Sequence, residues 1–580
     1  MAGMACHTAQ TQEAVAPEKL PPPEKLSGIG NVHLEITASP EAQAWFNQGL
    51  NLLHDFWDYE SVRAFEQGAR VDPQCAMCYW GIYQAETFRH SNSWHFAKEA
   101  LAKAVSLKGR VSKAERLYIE AIAAEQAAKE SDEDDKKAAK KGEVEIYRKL
   151  VKSYPRDTQA RIFLSQALED GYEDDGTARE GQKEAIAILQ SVLKDEPENS
   201  AANHYWIHAV EASPHPEQAL HSAEILGGLA PASGHMVHMP GHIFYRTGDY
   251  ARAEQSFAAS TRADEQYMSA QHVEADDDWN YVHNLMYAIA NLLEAGKLNE
   301  AIALSAKLRN ARGKLESTLY VWSTRDAITR LDPRLPVALR SGDWPVALGL
   351  LAQSNPPESQ PNLRFLARQL VTFAHGMQAV EGGELVRAEE ASSQLDAELW
   401  RASQRIKAAE DAHDNEKNKK AAANPAPRVP VMPDAQAQPL VDNVSIMSLE
   451  LRAALLVARG KNADAKQLYA QAAKQEKALG YHEPPAYIRP VGEAEAAAFL
   501  AASNWNEAKQ AFEAALKDRP RSGFPLYGMA QASERAGDSK AAAAGYAQFL
   551  AAWKSADTDL PQMAHARSFI ASHNSAAGSK

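Results

Sequence analysis

The sequence predicts an all-α solenoid of stacked helix pairs, and three observations predict it. Apolar residues recur at helical spacing in a chain rich in Ala, Leu, Glu, Lys and Gln. Almost nothing alternates with the period of two that a half-buried strand needs. A short signature, Gly-Asp-aromatic followed three residues later by Ala, returns as G-D-Y-A-R-A (248–253), G-D-W-P-V-A (342–347) and S-N-W-N-E-A (503–508). Weaker copies stand at 296–301, 460–465 and 537–542.

The spacing names the repeat. Ala219 and Ala253 are 34 residues apart, as are Ala508 and Ala542, and 34 residues is the period of the tetratricopeptide helix-turn-helix. Asp72-Pro73, Glu196-Pro197 and Arg519-Pro520 close units. Each helix pair buries one face against its neighbours, and the first helices line a concave groove, the usual binding surface of such arrays.

Taken in order, residues 1–30 read as a flexible tail or tether, and 31–406 as an N-terminal array. Residues 127–144 read as a solvated charged helix or loop, and 174–182 as a polar turn. Residues 407–440 run from a charged helix end into N-P-A-P-R-V-P-V-M-P, an extended linker. A C-terminal array over 441–570 and a tail over 571–580 complete the chain.

Composition limits the function classes. The 580 residues carry a net charge of −14, which argues against nucleic-acid binding. No apolar run approaches the roughly 18 residues of a membrane helix. No Gly-rich phosphate loop, nucleophile elbow or dinucleotide fingerprint appears, so no nucleotide cofactor is expected. Three cysteines cannot make a disulfide framework, and Cys75 and Cys78 are expected to pack as ordinary core residues. Cys6, after small residues and before a Pro-rich stretch, suggests a lipid anchor on a periplasmic or otherwise exported protein, although Gly3 stands where a lipoprotein processing box usually has Leu. The alternative is a cytoplasmic protein with an incidental Cys.

The strongest functional signal is histidine. Residues 204–283 hold 9 of the chain's 19 histidines, where an even spread gives between two and three. Six fall in N-H-Y-W-I-H (His204, His208), G-H-M-V-H-M-P-G-H (His235, His238, His242) and Y-V-H-N (His283). If Ala219, Ala253 and Ala301 are equivalent, three first helices begin near Ser200, Gly234 and Val282. The groove-facing second, fifth, ninth and twelfth places then take His204, His208 and Glu211 on the first. On the second they take His235, His238, His242 and Tyr245, and on the third His283 and Met286. Spacings of three and four put these side chains on one face. Pro240 either kinks the second helix or starts it.

A nitrogen-rich, carboxylate-poor set leans towards copper or zinc, with iron a further candidate. Six histidines suit two ions, or one ion with a catalytic His. Glu211 is expected either as ligand, orienter or general base or as a surface residue near a helix end, and Tyr245 either as a proton donor or stacking ring or as a core residue. Glu483, in Y-H-E-P-P, is expected to reach the groove from the C-terminal array. Met236, Met239 and Met286 read as core. Asp276, Asp277 and Asp278 read as helix-cap partners, and His215 and His221 as surface residues.

These segments resemble a bacterial subgroup of tetratricopeptide proteins. The resemblance is carried by P-E-A-Q-A-W-F-N-Q-G-L (40–50), D-P-Q-C-A-M-C-Y-W-G (72–81), A-N-H-Y-W-I-H-A-V-E-A-S-P-H-P-E (202–217), H-M-V-H-M-P-G-H-I-F-Y-R-T-G (235–248), H-N-L-M-Y (283–287) and Y-H-E-P-P (481–485). It implies a fold and a site but no reaction. The chain departs from the subgroup at Phe56-Trp57-Asp58, where Phe-Asn-His is common, and at 89–92, which reads R-H-S-N in place of Gly-Pro-Asn. Two functions follow as expectations. The first is a metalloenzyme, an oxidoreductase or hydrolase using oxygen chemistry or metal-activated water on a small molecule or peptide. The second is a non-catalytic scaffold whose groove binds a peptide or protein partner.

Overall fold

The computed structural model describes residues 14–89, 93–130, 133–173, 175–275, 278–311, 324–420, 434–435 and 437–577. Among them stand 26 α-helices and no strand. Successive helices pack as antiparallel hairpins, for example Pro40–His54 with Asp58–Val71 and Gly523–Arg535 with Ser539–Ala552. The chain is an all-α solenoid of tetratricopeptide-like helix pairs.

The recurring signature works the same way at all six places. Its Gly, or Ser503 in one copy, takes a positive φ that ends the first helix of a pair. Asp249, Asp343 and Asp538 then cap the second helices, each side chain accepting a backbone N–H three residues on. The six alanines that follow, Ala253, Ala301, Ala347, Ala465, Ala508 and Ala542, are fully buried, because only a methyl fits where the paired helices touch.

Several expectations meet a different outcome. The tether is docked from Val15 on: Arg89 Nη2 donates to Val15 O, Arg63 to the carbonyls of Pro21 and Pro22, and Ala232 N to Gly28 O. Residues 133–153 are helix, one of the two expected alternatives, whereas the expected tail is helix through Ala577. The charged stretch after 407 stays helical to Lys420, and the Pro-rich run that follows it lies outside the described residues. One apolar core, from Ala327 to Ala532, includes residues on both sides of that linker, so the core does not divide there. Cys75 and Cys78 are buried as expected but joined in a disulfide. Their separation of three at the start of Ala76–Arg89 brings the Cα atoms to 5.3 Å, inside the range a bridge needs. Cys6 lies outside the described residues.

The array curves until its C-terminal pairs touch the middle ones. Tyr250 donates to Pro520 O (3.0 Å), Trp553 Nε1 to Glu294 O (2.8 Å), and Asp557 N to Gly296 O (3.1 Å). Gly248 permits this closeness, since a Cβ there would stand 2.2 Å from Pro520 O. Glu294, Arg340, Glu493 and Arg519 form a buried ion network across the same junction.

Candidate metal centre

Three first helices carry the cluster: Ser200–Glu211, Gly234–Arg246 and Trp279–Glu294. Asn199 and Ser233 cap the first two by accepting Ala202 N and Met236 N. The third begins three residues before the expected start. The preceding helix, Tyr250–Gln271, is 22 residues long and breaks the even period. His283 therefore takes the fifth place rather than the second. Asn280 and Tyr287 take the second and ninth, and Met286 packs in one apolar cluster while Met236 and Met239 pack in another. Asp278 is the N-cap of this helix, as expected, but its side chain makes no capping bond. Asp276 and Asp277 lie outside the described residues. Pro240 sits inside the second helix, which starts six residues earlier at Gly234. Gly241 lets that helix approach its partner, since a Cβ would stand 2.5 Å from Phe257.

All six histidines converge, and all but His208 are buried. Five hold their Nδ1 atoms on oxygen acceptors. His204 Nδ1 donates to His54 O (2.6 Å), and His208 Nδ1 to Glu211 Oε1 (2.7 Å). His242 Nδ1 donates to Glu211 Oε2 (2.6 Å). His235 and His238 donate to Asn280 Oδ1 (3.2 Å) and Asn284 Oδ1 (2.8 Å). The amide orientations are set from the far side: Asn280 Nδ2 donates to Asp264, and Asn284 Nδ2 to Phe257 O and Thr261. With the proton on Nδ1, each Nε2 presents a lone pair.

Those lone pairs face one another. His204 Nε2 is 3.1 Å from both His208 Nε2 and His235 Nε2, and His238 Nε2 is 2.6 Å from His242 Nε2. Nitrogens bound at about 2.0–2.1 Å to one tetrahedral ion stand about 3.3 Å apart, close to the wider spacings. Burial, with neighbouring imidazoles, holds His204, His235 and His238 well below the usual histidine range, and takes His283 down to about 3. Burial also lowers His242, partly offset by Glu211. At His208 burial pulls down but Glu211 more than compensates, so its pKa rises. Burial pushes Glu211 up, yet His242 and His208 hold it well below the carboxylate range and keep it ionised.

His54 gives a pH prediction. Its buried ring, against Gln159 Oε1 at 2.7 Å, titrates near 4 because burial disfavours the cation. The unfolded chain accepts that proton near the ordinary 6.5, so stability is complete above this value and falls as pH drops towards 4. The metal-free chain is expected to lose about 2 kcal/mol by about pH 5 through His54 alone. A urea midpoint unchanged between neutrality and that pH contradicts this.

Glu211 holds one imidazole of each neighbouring pair with each oxygen. Tyr245 packs in the core, one of its expected alternatives, and not against the imidazoles. Its hydroxyl faces Arg519 Nη1 at 3.5 Å, and Tyr287 lies between its ring and His242. A phenol that bonds to the cluster is that of Tyr481, which donates to Glu211 Oε2 (3.1 Å). Glu483 does reach the groove, 3.6 Å from His242 Nδ1 and 3.8 Å from His283 Nε2. Phe56, at φ 57°, stacks on His208 and His235. A cavity of about 570 Å³ opens on the cluster, with His208, His235, His283, Trp279, Tyr481 and Glu483 in its wall. Asp58, where the subgroup carries His, also lines it but joins no ligand group; burial and then Glu86 push its carboxyl up to about 8. His215 and His221 are exposed.

No family model matches this chain, and no curated protein is similar to it. Solved structures with some likeness include yeast Tom70, 13% identical, covering 92% of this chain and 95% of that one with a TM-score of 0.27. The human IFIT1 dimer with m7Gppp-AAAA is 11% identical over 89% and 96%, with a TM-score of 0.31. The P58(IPK) TPR domain is 14% identical over 72% and 99%, with a TM-score of 0.18.

Proposed function

We propose that this chain is a transition-metal protein that holds its metal in the concave groove through His204, His208, His235, His238, His242 and His283, and that it is a metalloenzyme acting on a small molecule. One observation carries the reading: buried, Nδ1-protonated imidazoles turn their Nε2 lone pairs towards one another. Lone pairs at such distances repel, and a bound cation turns the repulsion into ligation. Hydrogen-bonded partners on the far nitrogens are the usual support of metal-bound histidines. All-imidazole donors favour copper or zinc. The two chemistries that fit are metal-activated water and oxygen chemistry.

The scaffold alternative has less support. Tyr481 and Glu483 of the chain's own C-terminal array occupy the groove beside the cluster, and the cavity left is the size of a small-molecule site. The Cys75–Cys78 disulfide favours an exported protein, since such bonds persist in oxidising compartments. Membership of the bacterial subgroup is proposed on the same histidine motifs. Elemental mass spectrometry of the purified chain tests the metal reading: about one or more equivalents of transition metal, retained or regained on addition, is expected. Less than a tenth of an equivalent after addition sinks it.

A further inference from the structure

Building on the metal reading, we infer that the cluster is a pair of three-histidine sites that takes two copper ions sharing one small exogenous ligand. Besides a mixed group of His208 with Glu211 and Glu483, in which both Glu211 oxygens already accept from imidazoles, the donor atoms sort into two all-histidine groups, His204 with His208 and His235, and His238 with His242 and His283. Within each group all three donor atoms lie within 4.8 Å of one another. The six do not form a single group, as ligands of one ion would.

The two groups adjoin. The imidazole centroids of His235 and His238, one from each, are 5.9 Å apart, and those of His208 and His242 are 6.5 Å apart. The widest separations inside the groups are 5.9 Å for His208 and His235 and 6.0 Å for His242 and His283. Ions seated in the two groups are therefore near neighbours, the arrangement in which one ligand reaches both at an ion spacing of about 3.5–4 Å. Glu211 ties the halves together from behind, one oxygen to His208 and the other to His242, and so is engaged as a hydrogen-bond acceptor.

Both groups face the same cavity. His208 and His235 of the first and His283 of the second line its wall, while His204, His238 and His242 do not. A small anion entering there meets both ions on one side. Copper follows from the donors: three neutral imidazoles per ion, with Cys75 and Cys78 bound to each other and the methionines in the apolar core. Among divalent ions, copper binds nitrogen sites most tightly.

The test titrates metal-free full-length protein with copper(II) sulfate and reads bound copper together with its electron paramagnetic resonance. Two equivalents are expected, with most of the copper silent because the shared ligand couples the two spins. His208→Ala, on a partly exposed residue, and His283→Ala are each expected to keep one equivalent, now fully visible. Saturation of the wild-type chain at one equivalent overturns the pair while leaving the metal reading intact. Two fully visible equivalents overturn the shared ligand. Two equivalents of zinc with no copper uptake overturn the choice of ion. No uptake of any metal overturns the metal reading as well.

Discussion

Replacing Glu294 by alanine is expected to cost about 3–5 kcal/mol of stability, as when one partner of a buried ion network is removed. Glu294 ends the helix that carries His283 and is 1% exposed. Arg340 Nε and Nη2 each donate to it at 3.1 Å, Arg519 Nη1 at 2.9 Å and Ser522 Oγ at 2.6 Å. Without it, Arg340 keeps only Glu493, at 2.8 and 3.0 Å, and the largely buried Arg519 loses the carboxylate it donates to. Burial pushes the Glu294 carboxyl up, but Arg340 and Arg519 bring it down to about 2. Its folded value thus lies below the unfolded 4.5. Its contribution is complete above pH 4.5 and is lost as pH falls towards 2, a span worth about 3 kcal/mol. Glu294→Gln keeps the shape and part of the hydrogen bonding, and should cost less than alanine. The check is the urea midpoint at unchanged slope; an alanine variant within about 1 kcal/mol of wild type would show that packing, not this network, joins the arrays.

The parts of the site that were legible in the sequence are those set by local periodicity. Spacings of three and four within N-H-Y-W-I-H and H-M-V-H-M-P-G-H put five histidines on helix faces, and the 34-residue register put those faces side by side. His283 reached the same groove although its helix starts at Trp279, because an error of three residues still falls on the same face of a helix. Asn280 and Asn284 carried a signal that was overlooked: in W-N-Y-V-H-N they lie three residues before and one after His283, on the side that meets the second helix. Tyr481 is a different case. It bonds to Glu211 across 270 residues, and no periodicity reports how far a solenoid curves. The curvature is settled by contacts such as Gly248 against Pro520 and Trp553 against Glu294, each of which looks like ordinary repeat packing in the sequence. Tyr245 shows the same limit. The register placed it correctly on the groove side, but the return of the C-terminal array supplied Arg519 as its neighbour.

Glu211→Gln is expected to weaken metal binding at both halves of the cluster, by about 10–100-fold at each histidine that loses its partner. The wild-type carboxylate only accepts, one Nδ1–H on each oxygen. A glutamine offers one oxygen and one NH2 group, so it can accept from His208 or from His242 but meets the other with a donor. That imidazole must move its proton to Nε2, and the proton then occupies the lone pair that would bind the ion. The lost charge adds to the effect, since Glu211 is ionised between the halves and offsets part of the charge of any cation there. Tyr481→Phe removes only a hydroxyl that donates to the same oxygen. It leaves both imidazoles oriented and should change affinity far less. Competition against a chelator of known strength reads both variants, and far-UV circular dichroism with a melting curve shows whether each is folded. A folded Glu211→Gln protein that binds metal within about twofold of wild type would mean that the imidazoles find their orientation without the carboxylate, and Glu211 would then have to be a base or a bystander.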